Sequence, residues 1–307
     1  MKVLVTGGAG FIGSHVVDAF LAAGHQVCVV DDLSTGKREQ VNPAAHFYQV
    51  DIRNGEALSQ VIAAERPEVI AHEAAKANVR ESMEKPLLYA DVNVLGSLQL
   101  LELARKNGVR KVVYASTGGA VYGEPEYLPV DEAHPIDPLD PYGASKHHVE
   151  HYLRLYERNY GLQYTILRYP NVYGPRQDPL GEAGVVAIFT GMMLTGKHPT
   201  INGTGEQLRD YCYVGDIARA NLLALTRGDG GTYNIGTGIG TSVNQIWAAL
   251  QQATGYQGPR LYGPAKLGEV SQIYLSTDLA RRELGWEPTV TLQQGLELTV
   301  QYFRERM

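Results

Sequence analysis

The stretch VLVTGGAGFIGSH, residues 3–15, constrains the fold more than any other part of the sequence. An apolar run that predicts a β-strand leads into Gly7, Gly10 and Gly13, which open an amphipathic helical pattern. The missing side chains at Gly7 and Gly10 would let the backbone approach a pyrophosphate, and Gly13 would let the helix pack closely on the strand. The positive end of the helix would then face the negative charge. Strand, turn and helix follow in the order that a dinucleotide site requires.

Up to about residue 170, short β-rich runs alternate with helical patterns. The β-rich runs are KVLVT, QVCVVD, HFYQV, EVIAH, KVVYAS and YTILRY. This alternation predicts right-handed βαβ crossovers and therefore an α/β fold of the Rossmann type, a doubly wound parallel sheet with helices on both faces. Ligands of such folds bind beyond the carboxyl ends of the strands.

After residue 170 the pattern changes to glycine- and proline-rich stretches. Helical patterns occur there around residues 185–196, 214–227, 242–254 and 291–305. We therefore predict a dinucleotide-binding domain over residues 1–170, to which the segment 212–236 returns. Residues 171–307 would form most of a smaller, substrate-binding lobe, and the cleft between the two would hold the substrate.

Two carboxylates, Asp31 and Asp32, end the second β-rich run. A carboxylate at this place can accept hydrogen bonds from both hydroxyls of a ribose and would repel a 2′-phosphate, which favours NAD over NADP. Asp51 and Ile52 follow the third run and are, by position, candidates for an adenine contact. An ordinary turn at the end of a strand explains these two residues nearly as well.

Charge and cysteine usage argue against several kinds of partner. The formal net charge is −6, the sequence pI is near 5.9, and there is no long basic run, so we expect no binding to nucleic acid. No apolar run approaches the length of a membrane span, and we expect a cytoplasmic protein without a membrane segment. Cys28 and Cys212 lie in apolar or aromatic stretches without metal-ligand spacing, so we expect packing roles and no metal.

The stretch YGASKHHVEHYLRLY, residues 142–156, carries a tyrosine and a lysine four residues apart. With 19 tyrosines and nine lysines in the chain, this spacing alone proves little, and a second pair occurs at Tyr262 and Lys266. A Gly-Pro dipeptide separates that second pair, and a helix interior would not accept it. Tyr142 instead follows a proline at the start of a helical apolar pattern, so Lys146 would lie beside it on the same face.

The lysine would serve to make the phenol a base. A phenol titrates near pH 10, so action as a base near neutral pH needs a pKa about three units lower, equivalent to about 4 kcal/mol. A unit charge at ~4 Å contributes about 4 kcal/mol at an effective dielectric constant of about 20. We therefore expect Lys146, helped by an oxidised nicotinamide, to lower the pKa of Tyr142 enough for it to take a proton from a sugar hydroxyl.

A hydroxyl donor is expected next to that phenol. Ser116 and Thr117 end a predicted strand where the cofactor cleft opens, and both are candidates. The structural alternative is an exposed turn threonine together with a tyrosine and a lysine on a helix surface.

Six stretches resemble, in this order, the nucleotide-sugar epimerases of the extended short-chain dehydrogenase/reductase family. They are TGGAGFIGSH, DDLSTG, ASTGGAVYGE, YGASK, RYPNVYGPRQ and RDYCYVGDIARA. The resemblance covers nearly the entire chain. It implies NAD-dependent 4-epimerisation of a UDP-hexose by oxidation at C4, rotation of the 4-keto sugar and reduction from the opposite face. Thr117, Tyr142 and Lys146 would be the catalytic trio, and a homodimer would form through helices at about residues 86–107 and 142–160.

The resemblance also implies two sets of binding residues. The cofactor set is Gly7, Gly10, Phe11, Ile12, Gly13, Asp31, Asp32, Leu33, Ser34, Thr35, Gly36, Asp51, Ile52, Ala74, Ala75, Lys76, Asn93, Ser116, Tyr142, Lys146, Tyr169 and Pro170. The substrate set is Lys76, Thr117, Tyr142, Asn171, Val185, Val186, Ile201, Asn202, Gln207, Arg209, Lys266, Glu269 and Ile273. Arg209 would pair with diphosphate oxygens, and the alternative for it is a salt bridge to Asp210 or Asp216.

Some positions depart from the family pattern. Residues 118–120, GGA, stand where the dehydratases commonly have Asp or Glu, so elimination is disfavoured. Residues 266–269, KLGE, replace an arginine-containing turn near the diphosphate, and a lysine there implies weaker contact. Pro170 replaces an aromatic residue or glycine beside the nicotinamide. Ile273 is smaller than the tyrosine that would exclude an N-acetyl group, so we expect some tolerance for UDP-N-acetylhexosamines.

Other functions stay open on the sequence alone. The enzyme could be an epimerase of UDP-glucuronate or of a UDP-N-acetylhexosamine, or a nucleotide-sugar dehydrogenase or reductase. An epimerase, unlike those two redox enzymes, shows no net production of NADH. A non-catalytic NAD-binding protein is a further alternative, and the intact trio of Thr117, Tyr142 and Lys146 argues against it.

Overall fold

The computed structural model describes residues 1–179, 184–265 and 270–306. The strands are β1 (Lys2–Thr6), β2 (Gln26–Asp31), β3 (His46–Gln49), β4 (Val69–His72), β5 (Lys111–Thr117), β6 (Gln163–Tyr169), β7 (Asn171–Tyr173), β8 (Thr200–Asn202), β9 (Leu208–Arg209), β10 (Tyr211–Tyr213), β11 (Gly231–Asn234), β12 (Thr241–Ser242), β13 (Leu261–Gly263) and β14 (Gln272–Ile273). The helices are α1 (Phe11–Ala22), α2 (Gly55–Glu65), α3 (Val79–Glu84), α4 (Pro86–Tyr89), α5 (Gly96–Lys106), α6 (Pro141–Tyr160), α7 (Val185–Leu194), α8 (Val214–Ala224), α9 (Val243–Thr254) and α10 (Leu292–Arg304).

Seven parallel strands form the central sheet, in the order β11-β6-β5-β4-β1-β2-β3. This confirms the predicted doubly wound sheet, and the six β-rich runs of the sequence are its first six strands. Their apolar character follows from burial on both faces, which a parallel sheet covered by helices requires. The seventh strand, β11, was not among those runs, and it pairs with β6 at the edge of the sheet.

Two layers of helices cover the sheet. On one face α1 and α8 pack against the strands, with Phe20 and Ile217 in the core. On the other face α2, α5 and α6 do so, with Leu101 and Leu153 in the core. The predicted glycine turn therefore lies at the carboxyl edge of the sheet, between β1 and the first helix of one layer.

The helical stretch Pro86–Lys106 has 21 residues and is long and apolar enough to cross a membrane. It comprises α4, a π-helical turn (Ala90–Leu95) and α5. Its α5 part buries Leu100, Leu101 and Ala104 completely, and this face packs on the sheet. The α5 part of the stretch is therefore a core helix of the fold, whereas Leu87 and Leu95 in its first half are exposed.

A third apolar cluster forms the core of the smaller lobe, where α7, α9 and α10 pack together around Trp247, Leu250 and Leu296. Both α9 and α10 begin with a capping box, in which Ser242 and Thr291 each exchange hydrogen bonds with the glutamine three residues later. These caps fix where the two helices begin.

A buried ion pair joins α6 to the sheet. Glu150 and Arg168 are 0 % and 2 % exposed, and the arginine Nε and Nη2 donate to the two carboxylate oxygens at 2.9 and 2.5 Å. Arg168 Nη1 also donates to the Tyr122 hydroxyl, which in turn donates to Asn234 Oδ1, each at 2.7 Å. Burial works against the charge of Glu150, but hydrogen bonds from Arg168 and His147 outweigh it and lower the pKa of the carboxyl to about 2.

We predict that Glu150→Ala lowers the free energy of unfolding by about 3–5 kcal/mol, because it leaves the Arg168 guanidinium buried and unpaired. Urea unfolding at neutral pH measures this loss. Since the folded pKa of Glu150 lies below its ordinary value of 4.5, the stabilisation is present above that value and is lost as the pH falls towards 2. The difference from wild type should shrink over the same range.

Glu287→Ala is the matched control, because its ion pair with Arg281 is more than half exposed on both sides and such pairs stabilise little. A Glu150→Ala variant as stable as this control would show that the buried pair does not anchor α6.

Candidate active site

The glycine turn forms a cradle that larger residues could not form. Gly7 has φ +71°, and a Cβ there would lie 2.6 Å from the amide nitrogen of Ala74. A Cβ at Gly13 would collide with the carbonyl oxygen of Gly7. A Cβ at Gly10 would meet only that oxygen, at 3.2 Å, so space stays open in front of α1. No side chain caps this helix, which leaves the amides of its first turn, beginning at Phe11, for a negatively charged ligand.

Asp31 lies at the rim of this cradle. Its Oδ2 accepts a hydrogen bond from the amide of Ala9 at 2.9 Å, and its Oδ1 accepts one from Leu33 at 2.8 Å. Burial raises the pKa of this carboxyl, and the two amides oppose that rise. Asp32 instead points outward and accepts from the amide of Ser34 at 2.8 Å. Of the two candidates, Asp31 is therefore the one placed beside the glycines, and its remaining lone pairs suit the hydroxyls of a ribose.

Other residues expected to contact the cofactor are already engaged within the protein. Asp51 forms an ion pair with Arg53 at 2.6 Å, and the hydrogen bonds of that pair lower the pKa of the carboxyl. The side chain of Ile52 is 5 % exposed and packs in a hydrophobic core. Asn93 bonds to the backbone N–H and C=O of Lys76 at 2.8 and 2.9 Å. In this arrangement Asn93 holds the loop that carries Lys76.

The structure brings Thr117, Tyr142 and Lys146 together at the carboxyl edge of the sheet. Thr117 is the last residue of β5, and the other two lie in the first two turns of α6. The Thr117 hydroxyl lies near the Tyr142 phenol and lowers the pKa of that phenol against the effect of burial. The ammonium group of Lys146, whose residue is 3 % exposed, lies 4.4 Å from the centre of the Tyr114 ring. The start of α6 is fixed by Asp140, whose side chain accepts from the amide of the third helical residue.

Ser116 does not belong to this cluster. Neighbouring residues of a strand point to opposite faces of the sheet, so Ser116 and Thr117 cannot both face the phenol. Ser116 is 3 % exposed and donates to Glu150 Oε1 at 2.6 Å. The Ser116 hydroxyl is therefore engaged by Glu150, and of the two candidates Thr117 is the one whose hydroxyl faces the phenol. The cofactor contact of Ser116 stays a prediction.

Burial is the largest influence on the pKa of both Tyr142 and Lys146. It raises the pKa of Tyr142 to about 12, against the lowering by the Thr117 hydrogen bond. It also lowers the pKa of Lys146 to about 8, against the charges of Glu73 and Glu150. In the protein by itself, burial thus disfavours the charged form of each group. The predicted lowering of the phenol pKa, which includes the charge of an oxidised nicotinamide, stays a prediction.

Glu73 is a site residue that the sequence analysis missed. It directly follows β4, and its Oε1 accepts a hydrogen bond from the Tyr169 hydroxyl at 3.0 Å. Burial raises the pKa of Glu73 to about 7, while Tyr169 and Lys146 lower it. Position was the available signal, because a carboxylate immediately after a strand next to β1 lies at the edge where ligands bind.

The candidate substrate residue Arg209 ends β9 and is half-buried. Its Nη1 donates to the carbonyl of Leu208 at 2.8 Å. Asp210 and Asp216 are occupied by backbone amides of other segments. Among the described residues, neither aspartate forms an ion pair with Arg209, which removes the structural alternative for this arginine.

The other candidate substrate residues fall into three groups. Val186, Ile201 and Ile273 are at most 3 % exposed and pack in apolar clusters, so their side chains would form only the wall behind a ligand. The members with accessible surface are Asn171, Val185, Asn202 and Gln207. Lys266 and Glu269 lie outside the described residues. Tyr262, the tyrosine of the second tyrosine–lysine pair, lies in the strand β13 and is 52 % exposed.

Comparison with known proteins agrees with this geometry. Residues 3–236 match the profile of the NAD dependent epimerase/dehydratase family. The chain is 49 % identical over 303 residues to a putative UDP-glucose 4-epimerase of Methanocaldococcus jannaschii, with 98 % of both chains covered.

Two solved structures extend the likeness to three dimensions. The UDP-glucose 4-epimerase of Thermotoga maritima with UDP-glucose is 51 % identical with a TM-score of 0.98, covering 100 % of this chain and 99 % of that one. The UDP-glucose 4-epimerase of Thermus thermophilus in complex with NAD is 46 % identical with a TM-score of 0.95, covering 100 % of each chain.

We predict that Gly7→Ala abolishes dinucleotide binding and lowers the melting temperature, because the new methyl group would overlap the backbone at Ala74. Gly24→Ala is the matched control, since Gly24 has φ +81° but nothing within 4 Å of a Cβ. In this control, the substitution costs only the backbone strain of placing alanine at a positive φ, about 1 kcal/mol. Thermal melting and titration with NAD measure both effects. Equal melting temperatures and equal NAD affinities of the two variants would contradict the role of the cradle.

Proposed function

The chain belongs to the NAD dependent epimerase/dehydratase family, and on that premise we propose that it catalyses NAD-dependent 4-epimerisation of a UDP-hexose, interconverting UDP-glucose and UDP-galactose. The observation that carries the proposal is that Thr117 at the end of β5 and Tyr142 and the buried Lys146 at the start of α6 lie at the same carboxyl edge of the sheet as the glycine cradle. This arrangement can move a proton at a hydroxyl whose carbon is being oxidised.

Tyr142 and Thr117 have different tasks in the proposed reaction. Tyr142 Oη takes the proton of the C4 hydroxyl and later returns one to the same oxygen. Thr117 donates its hydroxyl hydrogen to Tyr142 and so favours the ionised phenol. When bound, NAD would supply the redox chemistry as acceptor and later donor of the C4 hydrogen in the form of hydride. Between these events the 4-keto sugar turns its other face to the site, which inverts the configuration.

The cradle and Asp31 fit NAD. The open space at Gly10 and the first-turn amides of α1 accommodate a pyrophosphate. Asp31, with two amides already bound, suits ribose hydroxyls and would repel a 2′-phosphate. Because each turnover regenerates oxidised NAD, the coenzyme would stay bound.

A segment after β7 supports retention of the coenzyme. The carbonyl of Pro175 is within 2.9 Å of His15 Nε2, and Arg176 donates to Asp18 at 2.6 Å. Both partners belong to α1, so these contacts fasten the segment to the helix whose first turn would face the pyrophosphate.

The two glycines that follow Thr117 argue against elimination chemistry. A Cβ at Gly118 would lie 2.5 Å from Leu275 Cδ1, so a carboxylate side chain there would have to displace this buried leucine side chain. Gly119 is the nearest position to the trio, with a Cβ 3.9 Å from both Thr117 Oγ1 and Asn171 Oδ1, and it carries no proton-exchanging group. These glycines favour epimerisation over dehydration.

The two parts of the chain would bind the two ligands that the sequence predicted for them. Residues 1–170 with 212–236 would bind NAD, and most of 171–307 would bind the UDP-sugar. Arg209, which forms no ion pair among the described residues, is available for the diphosphate. The proposed location is the cytoplasm, where UDP-sugars and reduced cysteines such as the buried Cys28 and Cys212 are both found.

A homodimer is part of the proposal, because the outer faces of two helical segments are apolar. Val79, Met83, Leu87 and Leu95 are 45 %, 62 %, 84 % and 59 % exposed. On α6, Leu155 and Tyr160 are 38 % and 56 % exposed. Contiguous exposed apolar surface is typical of protein interfaces, and a second copy would cover both segments through a two-fold axis.

We predict that Leu87→Lys shifts the protein from dimer to monomer, with the dimer dissociation constant raised at least ~10-fold, since a charge would be buried at the interface. Sedimentation velocity over a range of concentrations measures this change. Leu298→Lys, 44 % exposed on α10, is the control outside that surface. A similar effect of both substitutions, or of neither, would contradict the interface.

For catalysis, we predict that Tyr142→Phe lowers kcat at least ~10²-fold, the range of general acid–base effects. Tyr152→Phe, on the same helix, should retain activity. NMR identification of the products from UDP-glucose, together with absorbance at the NADH band, measures turnover and any net reduction. We expect UDP-galactose as the product and no net formation of NADH. Formation of one NADH for each sugar consumed would identify a dehydrogenase. Absence of any turnover would favour a non-catalytic NAD-binding protein.

The same assay with UDP-N-acetylglucosamine and UDP-glucuronate tests which UDP-sugars the enzyme accepts as substrates. Ile273, smaller than a tyrosine, lies with Val121 and Leu275 in one cluster and would form a wall that leaves space for an N-acetyl group. Some turnover of UDP-N-acetylglucosamine is expected beside that of UDP-glucose. Good turnover of UDP-glucose alone would contradict the tolerance but not the epimerase.

A further inference from the structure

Asp210 lies between β9 and β10, and its buried carboxylate accepts four hydrogen bonds. Oδ1 accepts from the amide and the hydroxyl of Thr237 at 2.8 and 2.6 Å. Oδ2 accepts from the amides of Gly238 and Leu275 at 3.1 and 3.3 Å. The residue is 2 % exposed, and a buried carboxylate is costly unless it is hydrogen-bonded. The two segments that donate to Asp210 are therefore bound firmly to it.

These two segments continue into the strands on either side of β9. Thr237 lies in the loop that leads into β12, and Leu275 lies just beyond β14. In the three-stranded sheet β12-β9-β14 the central strand is β9, and in its register Arg209 lies opposite Ile273. Each of the three strands is only two residues long and forms few ladder hydrogen bonds. The side chain of Asp210 is thus a second connection between β9 and both of its neighbours.

The backbone of Asp210 makes a further connection, to β7. Its carbonyl accepts from the amide of Asn171 at 3.0 Å, where β10 pairs with β7. Close approach of the loop after β11 depends on Gly236, since a Cβ there would lie 2.5 Å from Asp210 Oδ2. Asp210 therefore joins the strands that carry three predicted substrate residues, Asn171, Arg209 and Ile273.

The direction of the Arg209 side chain follows the backbone of its own strand. Its Nη1 donates to the carbonyl of Leu208 at 2.8 Å, and among the described residues it forms no ion pair. No acidic partner therefore fixes the guanidinium in the described part of the chain. Its position depends on how firmly β9 itself is held.

We propose that Asp210 is a positioning residue of the sugar-nucleotide site, which joins the segments around β9 and thereby holds the Arg209 guanidinium where it can pair with the diphosphate. This inference rests on the proposed function, because it takes a UDP-sugar as the ligand. The diphosphate is remote from the reacting carbon C4 and would be bound equally well before and during the reaction. Loss of the position should therefore weaken substrate binding and leave the chemical step unchanged.

Asp210→Asn tests the proposal with the least change of shape. A carboxamide has a single acceptor oxygen, so at least one of the three backbone amides would lose its partner. We expect the KM for UDP-glucose to rise about tenfold, as the loss of one hydrogen bond to a charged group would cause, with kcat within about twofold of wild type. Calorimetric titration of the NAD-loaded protein with UDP should show the same loss of affinity. A fall in kcat with unchanged KM and UDP affinity would overturn the proposal.

Asp216→Asn is the matched control. The carboxylate of Asp216 is 1 % exposed and accepts from the hydroxyl and amide of Thr289 and from the amide of Val290, but it lies on α8 and not beside β9. Both substitutions leave a backbone amide without its acceptor, so both should lower the melting temperature. Only Asp210→Asn should weaken UDP binding. An equal loss of UDP affinity in the two variants would reflect a general loss of stability and overturn the proposal.

A double-mutant cycle with Arg209→Ala shows whether Asp210 acts through Arg209. Asp210→Asn should weaken UDP binding about tenfold in the wild type but less than about twofold in the Arg209→Ala background. Equal factors in the two backgrounds would overturn the proposal. Thr237→Val removes one hydroxyl donor and keeps the shape of the side chain, so it should weaken UDP binding about threefold. It provides the same cycle where Asp210→Asn does not fold.

UDP binding also separates this inference from the proposed function. A non-additive cycle in a protein that binds UDP but does not epimerise UDP-glucose would uphold the role of Asp210 and refute the proposed function. A wild-type protein that does not bind UDP would overturn the role of Asp210.

Discussion

The ion pair between Glu150 and Arg168 is the constraint on which the placement of the active site depends. Apolar packing holds α6 against the sheet but would tolerate small shifts along the helix axis, whereas two directed hydrogen bonds to a buried guanidinium do not. Glu150 lies one turn beyond Lys146 and two turns beyond Tyr142 on the same helix. Fixing Glu150 on β6 therefore fixes both residues relative to Thr117, the end of the neighbouring strand.

The carboxyl edge of the sheet supplies the rest of the site because parallel strands all end there. Gly7 follows β1, Glu73 follows β4, Thr117 ends β5 and Tyr169 ends β6. These four strands are neighbours in the sheet, so residues far apart in sequence lie at one edge of it. The cradle proposed for the dinucleotide and the groups proposed for proton transfer thus come from one topological feature.

Sequence patterns predicted what depends on local periodicity, namely the first six strands, the helix that carries Tyr142 and the glycine turn. They could not decide between Ser116 and Thr117, since alternation shows only that the two face opposite ways. The resemblance placed Val186 and Ile201 near the substrate, and the structure buries both side chains in the apolar cluster around Trp247. Glu73 was not singled out because its contact with Tyr169 arises only through the order of the strands.

The acidity of Tyr142 shows why a pairwise Coulomb argument was insufficient. One positive charge at ~4 Å contributes about 4 kcal/mol at an effective dielectric constant of about 20, but transferring an ion from water into a protein interior costs several kcal/mol. Both Tyr142 and Lys146 are subject to that cost, so burial raises the pKa of one to about 12 and lowers that of the other to about 8. Burial thus disfavours the ionised phenol in the protein by itself. The predicted use of Tyr142 as a base therefore relies on the positive charge of an oxidised nicotinamide as well as on that of Lys146.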